Sequence, residues 1–279
     1  MRKGIVLLMS LLSSLMIGAV PSAAAEEMSL LVLNVGKADA MLLRSGNSAY
    51  LIDTGRGRTF DTLEKALNSL KVTHLDGVII THTDSDHVGG LKKLLKSGIQ
   101  IDHLYTSAFY LPEEDDKEHP VLKAADKQNL SVEYLKSGDT LPLEGGSLDV
   151  LGPIRAAADK DDNNSVVLLS RAAGGTMLLA GDMEFPEEAD LIAAGLIGPA
   201  DVLKVANHGD NDATSEAFLN LVRPKAAVIS TSTEEKASTP ARRVLRLLEQ
   251  WNVEVLQTQH ADMGILVTIR DGEVTAEVR

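Results

Sequence analysis

A short polar loop directly after an apolar segment constrains this chain more than any other feature. Residues Gly77–Ile80 (Gly-Val-Ile-Ile) are apolar, which predicts a buried strand. The next residues include four potential metal ligands within six positions, namely His82, Asp84, Asp86 and His87. Alternate side chains of an extended segment share one side, so His82 and Asp84 are expected together, and the following turn brings Asp86 and His87 to the same place. Core packing does not require four such groups on one loop, so the loop predicts a metal site.

The rest of the chain alternates strand-like and helix-like segments. Gly89 and Gly90 are expected to let the backbone turn tightly into the first helix after the polar loop. The acidic segment Leu111–Lys127 predicts a surface loop, with a substrate lid as the alternative. Short segments rich in Val, Ile and Leu predict strands at Ser29–Asn34, Met41–Arg44, Ala49–Asp53, Gly77–Thr81, Val132–Leu135, Leu148–Leu151, Val166–Ser170, Met177–Gly181, Val202–Val205, Ala226–Ser230, Val253–Thr258 and Gly264–Ile269. A 3.6-residue periodicity predicts helices at Thr59–Leu70, Leu91–Lys96, Glu187–Ala194, Ser215–Leu221 and Ala241–Trp251.

Composition excludes several classes of protein. With 279 residues and 44% hydrophobic side chains, the chain can bury a full-sized core, so it is neither disordered nor a disulfide scaffold. The absence of cysteine excludes thiolate metal ligands and cysteine nucleophiles. The net charge of −13 argues against a protein that coats nucleic acid or an anionic membrane without specificity.

The first 25 residues have the pattern of a secretory signal peptide. Arg2 and Lys3 precede the mostly apolar segment Ile5–Ile17, and the stretch ends in small residues at Ala23–Ala25. Residues 26–279 are then expected to form a single domain, which is secreted and is not inserted in a membrane after cleavage. An uncleaved N-terminal anchor is the alternative, because the apolar stretch approaches the lower length limit of a membrane span.

The polar loop resembles the metal-binding signature of the metallo-β-lactamase superfamily, in the variant in which Asp replaces the second His. The chain is most similar to the hydrolase domain of the ComEC/Rec2 competence proteins and their free-standing relatives. The segments that carry this resemblance are Asn34–Ala40, Leu51–Gly55, Asn164–Leu169, Leu178–Asp182, Val202–Gly209 and Pro224–Ser230.

This resemblance implies an α/β fold, the four-layer αββα sandwich, with metal ions bound at one edge. It makes the four residues of the polar loop metal ligands, Asp182 the carboxylate that bridges the ions, and His208 a late ligand. It also implies that Asp86 orients a metal-bound hydroxide or accepts a proton. From the residues alone, an Asp after an apolar strand is as often a turn former, and a single His is equally ambiguous.

The chain departs from the superfamily pattern in its imidazoles. Many relatives have two His where this chain has Asn207 and His208, and a His before the proline of the last helix where it has Ser238 and Thr239. Asn164 and Ser165 occupy the region from which other branches supply a mid-chain His. Carboxylates in place of imidazoles shift the preference toward Mn²⁺, although Zn²⁺ also accepts Asp oxygens. We therefore expect two divalent metal ions, Zn or Mn.

A phosphodiester, such as DNA, is the substrate that the resemblance implies, and a link to DNA uptake is a further expectation. Two clusters of cationic side chains support a phosphodiester substrate, with an ordinary solvated surface as the alternative. They are Lys92, Lys93 and Lys96, and Arg242, Arg243 and Arg246. Only 3% of residues are aromatic, which leaves few stacking platforms for single strands. The alternatives are a hydrolase of a lactone or other small ester, and a non-catalytic metal-binding module.

The signal-peptide prediction is tested by the N-terminus of the exported protein. We expect cleavage before Glu26, because small residues precede it as export cleavage requires. N-terminal sequencing of the protein from the culture medium should begin near Glu26, and sequencing that begins at Met1 would contradict the prediction.

Overall fold

The computed structural model describes residues 27–110, 118–157 and 160–279. The predicted signal peptide, residues 1–25, lies outside the described residues. Two mixed β-sheets, of eight and seven strands, form the centre of the fold. In the part of the chain that is described, no helix is both long and apolar enough to cross a membrane.

The first sheet begins with an antiparallel meander and continues with parallel strands. Its order across the sheet is β17-β16-β1-β2-β3-β5-β7-β8. Strands β3, β5, β7 and β8 run parallel to one another, so their carboxyl ends lie at the same edge. The strands are β1 (Glu27–Leu33), β2 (Met41–Ser45), β3 (Ser48–Ile52), β5 (Gly77–Ile80), β7 (Leu104–Ser107), β8 (Val132–Leu135), β16 (Gly264–Arg270) and β17 (Glu273–Val278).

The second sheet has the same organisation, with antiparallel strands followed by parallel ones. Its order is β15-β14-β13-β12-β11-β10-β9, and β12 to β15 are parallel. Its strands are β9 (Thr140–Leu143), β10 (Gly146–Gly152), β11 (Val167–Ala172), β12 (Gly175–Leu179), β13 (Val202–Lys204), β14 (Ala226–Ile229) and β15 (Glu254–Gln257). A separate two-stranded sheet is formed by β4 (His74–Leu75) and β6 (Gln100–Ile101).

Helices cover the outer faces of both large sheets. They are α1 (Phe60–Ser69), α2 (Ser85–Val88), α3 (Leu91–Leu94), α4 (Pro120–Asp126), α5 (Phe185–Ala193), α6 (Glu216–Val222) and α7 (Arg242–Gln250). In β1, Leu30 and Val32 face the core between the sheets, whereas Leu31 and Leu33 face the helices, as alternation along a strand requires. A third cluster packs α5, α6 and α7 on the second sheet. The αββα sandwich predicted from the sequence is confirmed.

The predicted strands and helices are all present in the structure, with ends shifted by a few residues, and further short elements join them. The surface-loop prediction for Leu111–Lys127 is wrong in part, because Pro120–Asp126 forms α4. His119 caps this helix by accepting the Val121 N–H at 3.3 Å, and Val121, Ala124 and Ala125 are buried. The prediction missed this helix because its apolar face is short and follows a strongly acidic segment.

Glu187 is an acidic side chain buried in the packing of α5 against the second sheet. It is 4% exposed, and neither of its carboxylate oxygens has a hydrogen-bond partner. Gly152 leaves it space, because a Cβ added there would lie 2.7 Å from Oε1 of Glu187. Burial, and then the charge of Asp190, raises the pKa of Glu187 well above its usual range.

We expect Glu187→Gln to stabilise the protein at neutral pH. The folded state binds the Glu187 proton more tightly than the unfolded state does, so wild-type stability falls as pH rises from the unfolded pKa toward the raised folded pKa. The Gln variant does not lose stability in this way as pH rises. The wild-type loss is at most about 1.4 kcal/mol per pH unit across that window. The difference in stability is measured by thermal unfolding of both proteins between pH 4 and 8. The same dependence of Tm on pH in the two proteins would contradict the prediction.

Candidate metal centre

The carboxyl ends of parallel strands from both sheets meet at one edge of the sandwich. Thr81 directly follows β5 and accepts a hydrogen bond at its carbonyl from the Val166 N–H at 2.9 Å. Gly181 follows β12 and accepts from the Asn207 N–H, beyond β13, at 3.1 Å. The first bond joins the polar loop of the first sheet to the second sheet, and the other bond joins two strand ends within the second sheet.

The polar loop folds as an extended segment and a single helical turn. His82 is 1% exposed. Asp84 has extended backbone angles (φ −62°, ψ 145°) and begins α2, which turns Asp86 and His87 into the interior. Gly90 is helical (φ −83°) and is needed for space, because an added Cβ would lie 2.3 Å from the Thr54 carbonyl oxygen. The predicted tight turn is therefore a close approach of two backbone segments.

Four buried polar atoms converge behind this loop without hydrogen-bond partners. They are the Nε2 atoms of His82, His87 and His208, and Oδ1 of Asp182. The other carboxylate oxygen of Asp182, Oδ2, lies 3.2 Å from Nε2 of both His87 and His208. Buried polar atoms are nearly always hydrogen-bonded, so these donors fit a metal ion that would complete their coordination.

Asp84 and Asp86 lie at the outer side of the cluster. Oδ2 of Asp84 is 4.0 Å from Nε2 of His82, and the Asp84 side chain is 42% exposed. Oδ2 of Asp86 is 3.8 Å from Nε2 of His208. One donor atom from each of Asp86, His87 and His208 fits within 4.8 Å of the others. With Asp182, the structure thus brings all six residues predicted as metal ligands to one place.

The imidazoles of His87 and His208 are each held in place through Nδ1, the ring nitrogen that is not directed into the cluster. Nδ1 of His87 lies 2.8 Å from Oδ2 of Asp53, which also accepts from the Thr81 hydroxyl at 2.8 Å. Nδ1 of His208 lies 2.9 Å from the Ser230 carbonyl oxygen. Such partners fix the tautomer and orientation of a ligating imidazole and leave Nε2 for the metal. Sequence reasoning did not assign these roles, although Asp53 stands at a strand end, as the ligands do.

His208 lies in an unusual backbone conformation. Both Asn207 (φ 42°) and His208 (φ 52°) are in the left-handed region. Non-glycine residues occupy it at an energetic cost, and the surrounding structure must hold them there. The carbonyls of Asn207 and Gly209 accept backbone hydrogen bonds at 2.8 Å from Asp210 and Ala241. The turn directs the imidazole inward at the end of β13.

A buried ion pair lies beneath His208. Lys204 donates to Oδ2 of Asp39 at 2.8 Å, and both side chains are fully buried. The other oxygen of Asp39 accepts from the Ser230 hydroxyl. Because both oxygens of Asp39 are engaged, this residue supports the cluster and is not counted among the free metal donors. Asp39 and Lys204 are further residues whose roles the sequence did not predict.

The charges within the cluster are strongly coupled. Burial lowers the pKa of His87, but the carboxylates of Asp182 and Asp53 outweigh burial and hold this pKa well above its usual range. Conversely, burial raises the pKa of Asp182, and the charges of His208 and His87 outweigh it and hold the pKa well below its usual range. Burial, together with His87, lowers the pKa of His82.

A further carboxylate, which was not predicted, faces His82. Oδ1 of Asp162 lies 3.5 Å from Nε2 of His82. Burial, and then the negative charges of Asp182 and Asp84, raises the pKa of Asp162 to about 8. A cation among these carboxylates would relieve their repulsion. Asp162 lies beside the Asn164–Ser165 region noted above, where no imidazole was found.

Two cations contact Asp86 from the rim of the cluster. Arg56 donates to Oδ2 of Asp86 at 2.9 Å, and Nζ of Lys37 lies 3.8 Å from the same oxygen. Burial raises the pKa of Asp86, but the charges of His87 and His208, with a contribution from Lys37, hold it below its usual range. Asp86 is therefore ionised at neutral pH and well suited to accept hydrogen bonds.

The fold and cluster define a member of the metallo-β-lactamase superfamily. The family model of that description matches residues 33–233, so the chain belongs to this superfamily. The YhfI protein from Bacillus subtilis, a metallo-β-lactamase fold protein, superposes with a TM-score of 0.56 at 13% identity, over 87% of this chain and 99% of that one. The sequence-based prediction of a metal-dependent hydrolase of this fold is confirmed at the level of the superfamily.

Competence proteins are among the relatives by sequence, as the sequence predicted. ComE operon protein 3 of Bacillus subtilis is 30% identical over 81% of this chain and 31% of its own length. Recombination protein 2 of Haemophilus influenzae is 28% identical over 81% of this chain and 27% of its own length. The chain thus corresponds to less than a third of either relative.

We expect Asp53→Asn to weaken metal binding while the fold is retained. The amide has the size of the carboxylate but cannot hold the Nδ1 proton of His87 in the same way, and loss of such a partner costs about 10–100-fold in affinity. Calorimetric titration of metal-free protein with Mn²⁺ or Zn²⁺ measures the change. Asp149→Asn, at an exposed ion pair with Arg171, is the control, and equal affinities of the two variants would contradict the prediction.

Proposed function

We propose that this chain is a two-metal hydrolase that cleaves phosphodiesters, with DNA as the substrate class. In this proposal the ligands are His82, Asp84, Asp86, His87, Asp182 and His208, and Asp182 bridges the ions. The observation that carries it is the convergence of three partnerless Nε2 atoms and Oδ1 of Asp182 in a buried centre. Two divalent ions, Zn or Mn, fit this mixture of imidazoles and carboxylates.

Divalent ions at this site would supply a hydroxide at neutral pH and neutralise charge on a phosphate. The chain's own residues position the reactants. Asp86 accepts hydrogen bonds, and Arg56 holds its carboxylate in one orientation. As an ionised carboxylate, Asp86 would orient the nucleophile by accepting a hydrogen bond from it.

The charge of the rim favours a phosphodiester over a neutral ester. Lys37 and Arg56 lie beside Asp86, and their side chains are 15% and 23% exposed. Both can therefore contact a substrate at the mouth, which is the solvent-exposed side of the metal centre. Arginine matches the geometry of phosphate oxygens with paired donors. The competence relatives favour DNA in particular, although the chain covers less than a third of them.

The cationic clusters predicted from the sequence give weaker support. Arg243 is engaged within the fold, since it donates to the Thr214 carbonyl at 2.9 Å and stacks on the Phe185 ring at 5.3 Å. Within the predicted cluster, Arg242 and Arg246 are exposed on α7, whereas Arg243 makes its contacts within the fold. Lys92 and Lys93 are exposed on α3, close in sequence to the ligands of α2. Their contacts with a long substrate would be screened by salt.

We also propose that the protein acts outside the cytoplasm. The basic, apolar and small-residue order of residues 1–25 supports export.

The test of this function is metal-dependent hydrolysis of defined substrates. We expect bis-p-nitrophenyl phosphate, plasmid and single-stranded DNA to be cleaved with Mn²⁺ or Zn²⁺. Asp86→Ala and His208→Ala should lower the rate by about 10²-fold or more, because each removes a ligand and Asp86 also orients the nucleophile. Asp149→Ala is the control with a lost surface carboxylate.

The nature of the substrate is tested separately by Lys37→Met, which leaves every proposed ligand in place. With DNA, the variant should show a raised KM that approaches the wild-type value as salt increases. A lactone cleaved faster than any phosphodiester, with no effect of Lys37→Met, would favour the small-ester alternative. Full activity of Asp86→Ala at saturating metal would refute the site.

A further inference from the structure

The buried donors offer one metal position at His208 and another at His82. On the His208 side, two imidazoles and the carboxylate of Asp86 come within 4.8 Å of one another. On the His82 side, donor atoms of His82, His87 and Asp182 likewise lie within 4.8 Å of one another, and Oδ2 of Asp84 is 4.0 Å from Nε2 of His82. Nε2 of His82 is buried and has no hydrogen-bond partner.

Asp162 faces the His82 side of the cluster. Its Oδ1 lies 3.5 Å from Nε2 of His82, whereas Oδ2 of Asp84 lies 4.0 Å from the same nitrogen. The Asp162 side chain is 19% exposed, so it lies at the boundary between the interior and the mouth. It makes no hydrogen bond to Nε2 of His82, although it lies beside it. Both atoms are therefore available to a third atom between them.

The turn that carries Asp162 is fixed on both sides. Its neighbour Asp161 accepts from the Thr83 N–H at 3.0 Å, which joins the turn to the polar loop. Asn163 donates to Oε2 of Glu184 at 3.2 Å, which joins it to the segment after Asp182. The Asp162 carbonyl accepts from the Ser165 N–H at 3.1 Å. Asp162 is thus held between the two loops that carry ligands.

We propose that Asp162 is a ligand of the metal ion bound by His82, in the region where other branches of the superfamily supply an imidazole. This inference rests on the two-metal function proposed above. The ion at His82 would then have carboxylates from Asp84, Asp162 and Asp182, whereas the ion at His208 would have those of Asp86 and Asp182, and His87 lies within reach of both positions. Oxygen-rich coordination favours Mn²⁺ at the first position, and the second position suits Zn²⁺ as well.

The test compares metal binding by the wild-type protein and Asp162→Ala, with Asp149→Ala as the surface control. Metal-free proteins are titrated with Mn²⁺ and with Zn²⁺ by calorimetry, and bound metal is counted by elemental analysis. We expect wild type and control to bind two Mn²⁺ ions. Asp162→Ala should bind one Mn²⁺ ion with wild-type affinity and the other at least about 10²-fold more weakly, beyond the effect of a residue that only orients a ligand.

Asp162→His tests the identity of the donor. An imidazole at this position should restore the second ion with Zn²⁺ but not with Mn²⁺, because nitrogen donors suit zinc better. Circular dichroism verifies folding, and Asp162→Asn, which keeps the size of the side chain, replaces the alanine variant if that variant does not fold. For Asp162→Asn the second Mn²⁺ ion should bind at least about tenfold more weakly, since a neutral oxygen replaces a charged one.

Two results would overturn the assignment of Asp162 and leave the proposed function intact: two Mn²⁺ ions bound by Asp162→Ala with affinities equal to those of wild type, or equal weakening of both ions. A wild-type protein that binds no pair of ions would overturn the proposed function itself, and this inference with it.

Discussion

The buried ion pair between Lys204 and Asp39 is the interaction on which the metal centre depends. Lys204 ends β13 in the second sheet, whereas Asp39 lies between β1 and β2 of the first, so the pair joins the two sheets. Asp39 also accepts from Ser230, which holds His208, and its N–H donates to the Asp86 carbonyl at 3.1 Å. Removing one partner of a buried pair costs about 3–5 kcal/mol. The geometry of the centre and the stability of the fold therefore rest on the same contacts.

The imidazole of His87 balances two of the buried carboxylates of the centre. Asp53 and Asp182 flank His87, at 2.8 Å from its Nδ1 and 3.2 Å from its Nε2. These contacts raise the pKa of His87 and thereby favour its charged form, which balances the buried carboxylates. A metal ion needs the neutral ring, so its binding is coupled to the release of a proton. The proton and the metal ion are alternative counterions for Asp182.

The sequence predicted the parts of the centre that are local and missed those that depend on distant contacts. The polar loop was recognisable because four donors lie within six positions after one strand. Asp182 follows another strand, but only the family resemblance distinguished a metal ligand from a turn former there. The pairing of Asp39 with Lys204 joins residues 165 positions apart, which no local pattern reveals. Asp162 was overlooked because its turn has no periodicity and resembles an ordinary acidic loop. Arg243 was grouped with Arg242 and Arg246 because they are close in the sequence, which does not show that neighbouring carbonyls engage its guanidinium.

The rim of the centre differs from its interior in how it is built. Glu235 accepts from Arg58 at 2.8 Å and from the Lys37 N–H at 3.2 Å, and these side chains lie at the surface, outside the packed sheets. Replacing one of them disturbs no core contact, whereas a change at Asp39 or Lys204 disturbs both sheets. Selection can therefore alter what the mouth admits, one residue at a time, while the reaction chemistry beneath it stays constant. A single scaffold of this kind can diversify in substrate without having to fold anew.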